Sequence, residues 1–237
     1  MKLKSHKAMV TGGTRGIGAA IAIQLLREGA EVLTIGRNPS HHPPEGCQYR
    51  QVDFADAASL DKFVTEIGGM GIDILINNTG INKIAPFEQI EIDDFERIQR
   101  VNLHAPVRLI QALLPGMRQK KWGRIVNITS VFGIVSRENR ASYSASKFGL
   151  DGMTVALAAE IAVDGILANC VAPGFIDTDM TRTILGEQGI SEIKKRIPAG
   201  RLGRPAEVAT FVAWLVSPDN TYLTGQNIAI DGGFSRV

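Results

Sequence analysis

The sequence predicts an α/β fold in which one parallel, doubly wound sheet of about seven strands carries helices on both faces. Three observations lead to this prediction. Short apolar runs alternate with helical patterns from end to end, which is typical of β-α-β units. The predicted strands are apolar almost without interruption, as expected when helices cover both faces of a sheet. No repeat of fixed period divides the chain, so a single domain over residues 1–237 is expected.

The strands follow from the short apolar runs, at 8–10, 32–35, 49–52, 72–76, 124–128, 167–171 and 228–230. Helices are expected between them where apolar residues recur every three or four positions, as Ile17, Ile21 and Leu25 do before Gly29. The other predicted helices are 59–67, 93–114, 143–162 and 206–216, with Pro115 near the end of the second of them.

Two stretches are expected to be loops of functional length, 38–48 and 173–204. The first contains Pro39, Pro43 and Pro44, which disfavour a full helix.

Composition excludes several classes of partner. The formal net charge of +2 is too small to indicate a nucleic acid or a membrane surface as partner. No apolar stretch approaches the length of a membrane span, and none resembles a signal peptide near the start. Cys47 and Cys170 show neither metal-ligand spacing nor a disulfide framework, so we expect no metal and a reduced, cytoplasmic setting.

A glycine-rich turn lies between the first strand and the first helix, with the sequence TGGTRGIG at 11–18. Glycines let the backbone approach a pyrophosphate, and the helix N-terminus behind them offers free N–H donors. The residues expected to contact the nucleotide here are Gly12, Thr14, Arg15, Gly16, Ile17 and Gly18. The alternative interpretation is a flexible loop with a C-capping glycine.

The end of the second strand indicates which nucleotide is bound. In such folds an acid at this place binds the 2′-hydroxyl of NAD, whereas a base accommodates the 2′-phosphate of NADP. The chain has Gly36-Arg37-Asn38 there and no acid, and Arg15 is near enough in sequence to assist. We therefore expect NADP(H), unless Arg37 is only a solvated loop residue.

A tyrosine and a lysine four residues apart, Tyr143 and Lys147, share one face of the fourth predicted helix. A nearby ammonium lowers a tyrosine pKa from its ordinary value of about 10 towards neutrality, which suits a general acid/base. Ser130 follows the fifth strand, at the sheet edge where α/β proteins bind ligands. Taken singly, such a pair is usually only a surface contact, and Ser130 is equally a turn or helix-cap serine.

Taken together, these motifs resemble the short-chain dehydrogenase/reductase family, and the resemblance covers nearly the whole chain. The motifs are TGGTRGIG at 11–18, NNTG at 77–80, Asn102 in RVNLHAP, Ser130, YSASK at 143–147, VAPG at 171–174 and DGG at 231–233. The resemblance implies a Rossmann-type fold and an NADP(H)-dependent oxidoreductase that interconverts a carbonyl and a secondary alcohol.

The resemblance also implies roles for single residues. Ser130 would position the carbonyl, Tyr143 would exchange the proton, and Lys147 would bind the nicotinamide ribose and lower the tyrosine pKa. Asn102 would hold a water that relays protons, although it can equally bond a neighbouring carbonyl. The further cofactor positions are Arg37, Asp53, Phe54, Asn78, Thr79, Gly80, Pro173, Gly174, Ile176 and Thr178.

Among these positions, Asp53 would meet the adenine and Ile176 the carboxamide. Singly, Asp53 can be a helix cap and the other residues turns at strand ends. Two departures from the family pattern stand out. Thr79 replaces a residue that is often alanine, and a helix that many relatives place within 38–48 is expected to be lost.

The nearest group within the family is the 3-oxoacyl-acyl-carrier-protein reductases, through VAPGFIDTDM at 171–180 and PAGRLGRPAEVA at 198–209. The group implies a homotetramer in which the helices opening near Asp93 and Tyr143 pair at one interface and the last strand at the other. A carrier protein is acidic and requires bases beside the cleft. The candidates are Arg118, Lys120, Lys121 and Arg124, whereas Asp164 before Gly165 would repel it.

The loop before Tyr143 favours a different substrate. Its Arg137 and Arg140 suit a carboxylate or phosphate and hence a sugar or hydroxy acid, unless both are solvated loop charges. A third alternative is an NADP-sensing protein without catalysis. It is disfavoured because Asn102, Ser130, Tyr143 and Lys147 are all present.

Overall fold

The computed structural model describes residues 1–40 and 42–236. Its strands are β1 (Lys7–Thr11), β2 (Glu31–Gly36), β3 (Gln48–Gln51), β4 (Ile74–Asn77), β5 (Gly123–Ile128), β6 (Ile166–Pro173) and β7 (Asn227–Ile230). They form one sheet in the order β3-β2-β1-β4-β5-β6-β7, and all pairs are parallel. The predicted seven-stranded parallel sheet is confirmed.

The helices are α1 (Gly16–Arg27), α2 (Ala57–Ile67), α3 (Ile92–Gln99), α4 (Ala105–Lys120), α5 (Ala141–Ile161), α6 (Asp179–Arg196) and α7 (Pro205–Leu215). Two apolar cores separate the helices from the sheet. On one face Leu25 of α1 and Val212 of α7 pack against the strands. On the other face Leu60 of α2, Leu109 of α4 and Ile161 of α5 do so. Burial on both sides explains the uninterrupted apolar strands.

The long helix predicted over 93–114 is present, but it contains a π-helical turn and ends later than predicted. The segment consists of α3, a π-helical turn at Arg100–His104, and α4, which continues through Pro115 to Lys120. Met117 explains the continuation, because it is fully buried on the sheet side of α4. Its side chain lies within 3.0 Å of where a Cβ on Gly123 would be. This packing offsets the hydrogen bond that a proline removes from a helix.

The loop predicted over 173–204 is also wrong, because it contains α6. Thr178 caps this helix, its hydroxyl accepting a hydrogen bond from the N–H of Thr181 at 3.3 Å. Gly186, with φ of 63°, interrupts the helix and obscured its periodicity in the sequence. Over 38–48, by contrast, the described residues up to Cys47 form no helix, as expected, and His41 lies outside the described residues.

The order of the strands fixes where a ligand can bind. The connections run outwards in opposite directions from β1 and β4, so a crevice opens at their carboxyl ends. Open parallel sheets bind ligands at such a switch point. None of the helices within the described part of the chain is long and apolar enough to cross a membrane.

Candidate active site

A cavity of about 570 Å³ occupies this crevice. Its lining contains every predicted site residue except Asn102: Gly12, Thr14, Arg15, Gly16, Ile17, Gly18, Arg37, Asp53, Phe54, Asn78, Thr79, Gly80, Ser130, Tyr143, Lys147, Pro173, Gly174, Ile176 and Thr178. Residues from both halves of the sheet therefore meet in one place, which is what a dinucleotide and a second substrate require. The described residues contain no cluster of three or more His, Cys, Asp or Glu side chains suited to a metal ion.

The glycine turn is packed so closely that side chains would not fit. Gly12 has φ of +65°, and a Cβ on it would lie 2.9 Å from Nδ2 of Asn78. A Cβ on Gly18 would lie 2.1 Å from the carbonyl oxygen of Gly12. Asn78 holds the turn from the end of β4, because its Nδ2 donates to the carbonyls of Thr11 at 2.9 Å and Gly12 at 3.2 Å. The backbone is thereby positioned for close approach by a phosphate.

The adenosine end of the cavity carries positive charge. Arg15 and Arg37 line it and are exposed. No carboxylate in the described part of the chain forms an ion pair with either of them. Asp53 also lines this end, but its Oδ1 accepts a hydrogen bond from the N–H of Ala55 at 2.9 Å. Two uncommitted guanidinium groups, that of Arg15 in the glycine turn and that of Arg37 after β2, fit a phosphate on the ribose.

Ser130 and Tyr143 form the reactive end of the cavity. Ser130 follows β5 and begins a short 3-10 turn, where its Oγ accepts a hydrogen bond from the N–H of Phe132 at 3.2 Å. Tyr143 lies in the first turn of α5. Burial raises the pKa of Tyr143, while a hydrogen bond with Ser130 and the charge of Arg140 lower it. The phenol is thus held protonated beside a hydroxyl that can share its hydrogen bond.

Lys147 is buried on the same helix face. Its Nζ donates to the carbonyl of Ile128 at 2.8 Å and lies 5.6 Å from the centre of the Tyr143 ring. Burial lowers the pKa of Lys147 to about 8. The groups that lower the tyrosine pKa here are Ser130 and Arg140, so the effect expected of Lys147 on that pKa stays a prediction.

Asn102 lies in the π-helical turn behind the cavity wall. Its Oδ1 accepts from the N–H of Ile81 at 2.9 Å, and its Nδ2 donates to the carbonyl of Ile81 at 2.9 Å and to Oγ of Ser146 at 3.0 Å. Gly80 lies beside it, since a Cβ there would be 3.6 Å from Oδ1 of Asn102. The side chain fastens the segment after β4 to α5, while its role in a water relay stays a prediction.

The segment after β6 closes the other side of the cavity. The N–H of Gly174 donates to the carbonyl of Ile230 at 2.9 Å, and a Cβ on Gly174 would lie 2.7 Å from Asp231. Asp231, the first residue of the DGG motif, therefore packs directly against Gly174 in the segment after β6. Ile176 is buried, and Thr178 lies beside Gly16, where a Cβ would be 3.4 Å from its methyl group.

Sequence reasoning missed part of the lining. From α6 come Met180, Thr181, Ile184 and Leu185. Their spacing of one, three and one residues is helical and was the signal available. From the loops and helices near the reactive end come Ile81, Asn82, Arg97, Phe132 and Phe175. None of these carries a motif of its own.

The four bases expected beside the cleft are not there. Arg118, Lys120 and Lys121 precede β5 and Arg124 is its second residue, so they lie at the amino-terminal end of the strand, opposite the cavity. All four are engaged. Arg118 and Lys121 each bond Asp164 at 3.0 Å. Lys120 bonds Asp73 at 2.6 Å.

Arg124 is buried, donates to backbone carbonyls and stacks on Trp122 at 4.6 Å. Asp164 therefore neutralises two of these bases instead of repelling a partner at the cleft. The expectation was wrong because the sequence gives neither the partners of these side chains nor the edge of the sheet on which they lie.

The two arginines of the loop before Tyr143 differ from each other. Arg137 is exposed and pairs with Glu138 at 2.7 Å. Arg140 is buried and lines the cavity. Only the second is placed to contact a substrate.

Comparisons with known proteins agree with this geometry. Residues 12–235 match the family described as enoyl-(acyl carrier protein) reductase. The chain is 37% identical to the 3-oxoacyl-[acyl-carrier-protein] reductase FabG of Vibrio cholerae, with 100% of each chain covered.

Two solved structures are also similar, and both contain NADP. One, from Beutenbergia cavernae, is described as an NAD(P)-dependent gluconate 5-dehydrogenase and has a TM-score of 0.92 at 33% identity, with 98% of each chain covered. The other, from Agrobacterium tumefaciens, is described as a 2-deoxy-D-gluconate 3-dehydrogenase. Its TM-score is 0.89 at 34% identity, with 98% of this chain and 97% of that one covered.

Proposed function

The chain belongs to the short-chain dehydrogenase/reductase family of oxidoreductases, and from this premise we propose that it catalyses the NADP(H)-dependent reduction of a 3-oxoacyl thioester to the 3-hydroxyacyl form. The observation that carries the proposal is the meeting of Ser130, Tyr143 and Lys147 with the glycine turn in one cavity. The choice of acyl substrate is supported by the name of the full-length relative from Vibrio cholerae.

The residues present fit NADP(H). The turn at Gly12 and Gly18 has no room for a side chain, which suits close contact between backbone N–H groups and a pyrophosphate. Arg15 and Arg37 would hold the 2′-phosphate, since both line the cavity beyond β2. The NADP in two similar structures supports the same choice.

The proton chemistry belongs to the protein. When bound, the reduced nicotinamide supplies a hydride to the carbonyl carbon. The phenol oxygen of Tyr143 donates the proton to the carbonyl oxygen, and the hydroxyl of Ser130 donates a hydrogen bond to that same oxygen. Burial keeps Tyr143 protonated near neutral pH, because it raises the pKa of the phenol. Lys147 would bind the nicotinamide ribose through its buried ammonium group.

A second candidate substrate is a sugar acid or another hydroxy acid, and one observation favours it. Arg140 places a buried cation in the cavity beside Tyr143, where a free carboxylate would be recognised. The two similar structures described as gluconate dehydrogenases support the same class. Both candidate substrates contain the carbonyl group that is reduced. They differ in the acyl group, which is bound as a thioester in the first and is a free carboxylate in the second.

Measurement of NADPH oxidation at 340 nm tests the proposal, with acetoacetyl-CoA, a carrier-linked 3-oxoacyl chain and a panel of small ketones and keto acids as substrates. Turnover of the thioesters at rates above those of the other compounds is expected. If only polar keto acids or sugars are turned over, the thioester assignment is wrong. If NADPH binds but no carbonyl compound is reduced, the chain is a sensor and the enzymatic assignment is wrong.

A further inference from the structure

Arg140 is an unusual residue for the wall of a substrate cavity. It is 7% exposed, and it lines the same cavity as Ser130 and Tyr143. A buried charge is costly unless an opposite charge or several hydrogen bonds compensate for it. The role of Arg140 therefore depends on which groups of the protein compensate its charge.

The protein supplies little compensation. The ring of Phe132 lies 5.3 Å from the Arg140 guanidinium carbon and covers one side of it. Within the described residues no carboxylate lies at ion-pair distance from Arg140 and no side chain or carbonyl accepts a hydrogen bond from its guanidinium group. The nearest acid in sequence, Glu138, is engaged by Arg137 at 2.7 Å.

The acids of the cavity lining do not meet this need. Asp53 lies at the adenosine end and accepts a hydrogen bond from Ala55. Asp179 is exposed at the start of α6. Burial and the neighbouring Arg137 lower the pKa of Arg140, while Tyr143 and Glu138 act against this shift.

The loop that carries Arg140 is fixed in place. Oγ of Ser136 bonds Oγ of Ser144 at 2.7 Å across the loop. The carbonyl of Arg140 itself accepts from the N–H of Ser144 at 2.8 Å, so the residue is anchored to the first turn of α5. The cation is thus held one turn of chain before Tyr143, at a defined place relative to the reacting oxygen.

We infer that Arg140 is a carboxylate-binding residue of the substrate cavity, so that the enzyme also acts on a free keto acid or hydroxy acid whose carboxylate lies close to the reacting carbon. A guanidinium group binds a carboxylate through two parallel hydrogen bonds, which fixes orientation as well as charge. The inference rests on the proposed carbonyl reduction and adds free acids to the 3-oxoacyl thioesters as a second class of substrate.

The test compares a keto acid with its neutral ester. Acetoacetate and methyl acetoacetate carry the same ketone and differ in the charge of the acid group. For the unmodified protein we expect kcat/KM for the acid to exceed that for the ester. In Arg140→Gln the ratio of the two values falls by roughly ten- to a hundredfold, the magnitude of a charge-assisted hydrogen bond. Arg140→Lys retains the positive charge but loses the two parallel N–H donors of the guanidinium group. Its ratio of kcat/KM for acid over ester should lie between those of the unmodified protein and Arg140→Gln.

Arg137→Gln is the matched control, because it removes the neighbouring arginine outside the cavity and should retain the ratio of the unmodified protein. Equal losses for acid and ester in Arg140→Gln would overturn the inference, since they would show that Arg140 acts through Tyr143 or through packing. A preference of the unmodified protein for the ester would overturn it as well.

A binding measurement separates this inference from the proposed function. Calorimetric titration of 3-hydroxybutyrate and its methyl ester into the protein with NADP⁺ requires no turnover. If the protein reduces no carbonyl compound, the proposed function fails, while an acid preference that Arg140→Gln abolishes still supports the carboxylate site. If both compounds bind equally well, or neither binds, the carboxylate site is absent.

Discussion

Among single residues, Tyr143 is the one whose removal should stop the reaction without dismantling the site. It lines the cavity with Ser130, and Nζ of Lys147 lies over its ring, 5.6 Å from the ring centre. Tyr143→Phe keeps the ring and removes the transferable proton, so kcat should fall by roughly 10²–10⁴-fold. The Kd for NADPH, measured by fluorescence titration, should stay close to that of the unmodified protein.

Tyr222→Phe is the matched control, because Tyr222 is 95% exposed and lies outside the cavity lining. It should leave kcat unaltered. Residual turnover of Tyr143→Phe near the unmodified rate would show that a different group donates the proton.

Arg37 should determine the choice between the two nicotinamide cofactors. Its guanidinium group is exposed at the end of β2 and lines the cavity. A charge-assisted bond to the 2′-phosphate contributes about 1.5–3 kcal/mol, which corresponds to roughly ten- to a hundredfold in affinity. Arg37→Asp should therefore reverse the ratio of kcat/KM for NADPH over NADH, because an acid repels the phosphate and binds the 2′-hydroxyl of NAD.

Arg27→Asp introduces the same charge change at an exposed arginine outside the cavity lining, and should leave the ratio unchanged. Comparable kcat/KM for both cofactors in the unmodified protein would contradict the assignment.

What could be predicted of the site follows from how its residues are connected in sequence. The glycine turn, Ser130, Tyr143 and Lys147 follow strand ends or begin helices, and the ends of parallel strands meet at one edge. Arg140 and Arg137 are three residues apart and look alike in the sequence. Their difference in burial depends on Phe132 and on contacts across the loop, which local pattern does not contain.

At the scale of elements, the junction of β1, α1 and β4 depends on the absence of a side chain at Gly18. A Cβ there would lie 2.1 Å from the carbonyl oxygen of Gly12 and 2.5 Å from Nδ2 of Asn78. Because both neighbours are fixed by hydrogen bonds, Gly18→Ala should displace the turn. We expect a loss of about 1–3 kcal/mol in the free energy of unfolding, as for other overpacked sites, together with weaker NADPH binding.

Gly116→Ala is the control for this substitution. Gly116 lies in α4, and a Cβ on it would meet no atom within 4 Å. Alanine favours a helix over glycine by about 0.5–1 kcal/mol, so this variant should be at least as stable as the unmodified protein. A thermal melt measures both changes. Equal melting temperatures for the two variants would show that the turn yields more readily than its geometry indicates.

Burial explains which helices and strands could be predicted from the sequence and which could not. The inner strands β1, β4, β5 and β6 were found because burial on both faces leaves an uninterrupted apolar signal. The edge strand β3 is mostly exposed and polar, so its pattern in the sequence was weak. α6 was missed because it covers the cavity with one side and is mostly exposed elsewhere, and because Gly186 breaks it. The continuation of α4 past Pro115 depends on the burial of Met117 beneath the sheet, a long-range contact.

At the scale of the whole molecule, α5 has an outer face without a partner in the single chain. Ala145, Phe148, Gly152, Val155 and Ala159 are exposed at helical spacing. Phe148 is 46% and Val155 51% exposed, whereas the opposite side of α5 packs on the sheet. Contiguous exposed apolar surface of this kind indicates a protein interface, and small residues allow helices to approach closely. A second copy of α5, related by a two-fold axis, would cover the apolar residues and could approach closely at the small ones.

We therefore expect a homotetramer in which α5 contributes to one interface and β7 to the other. Light scattering at micromolar concentration should give a mass about four times the 25.6 kDa of one chain.

In the double variant Phe148→Glu, Val155→Glu, carboxylates would be buried without partners at the α5 interface, so the tetramer should dissociate to dimers that retain the β7 contact. Ile23→Glu alters an exposed apolar residue on α1, away from both interfaces, and should leave the mass unchanged. A monomeric mass for the unmodified protein would contradict the assembly, and a tetrameric double variant would exclude α5 from its interfaces.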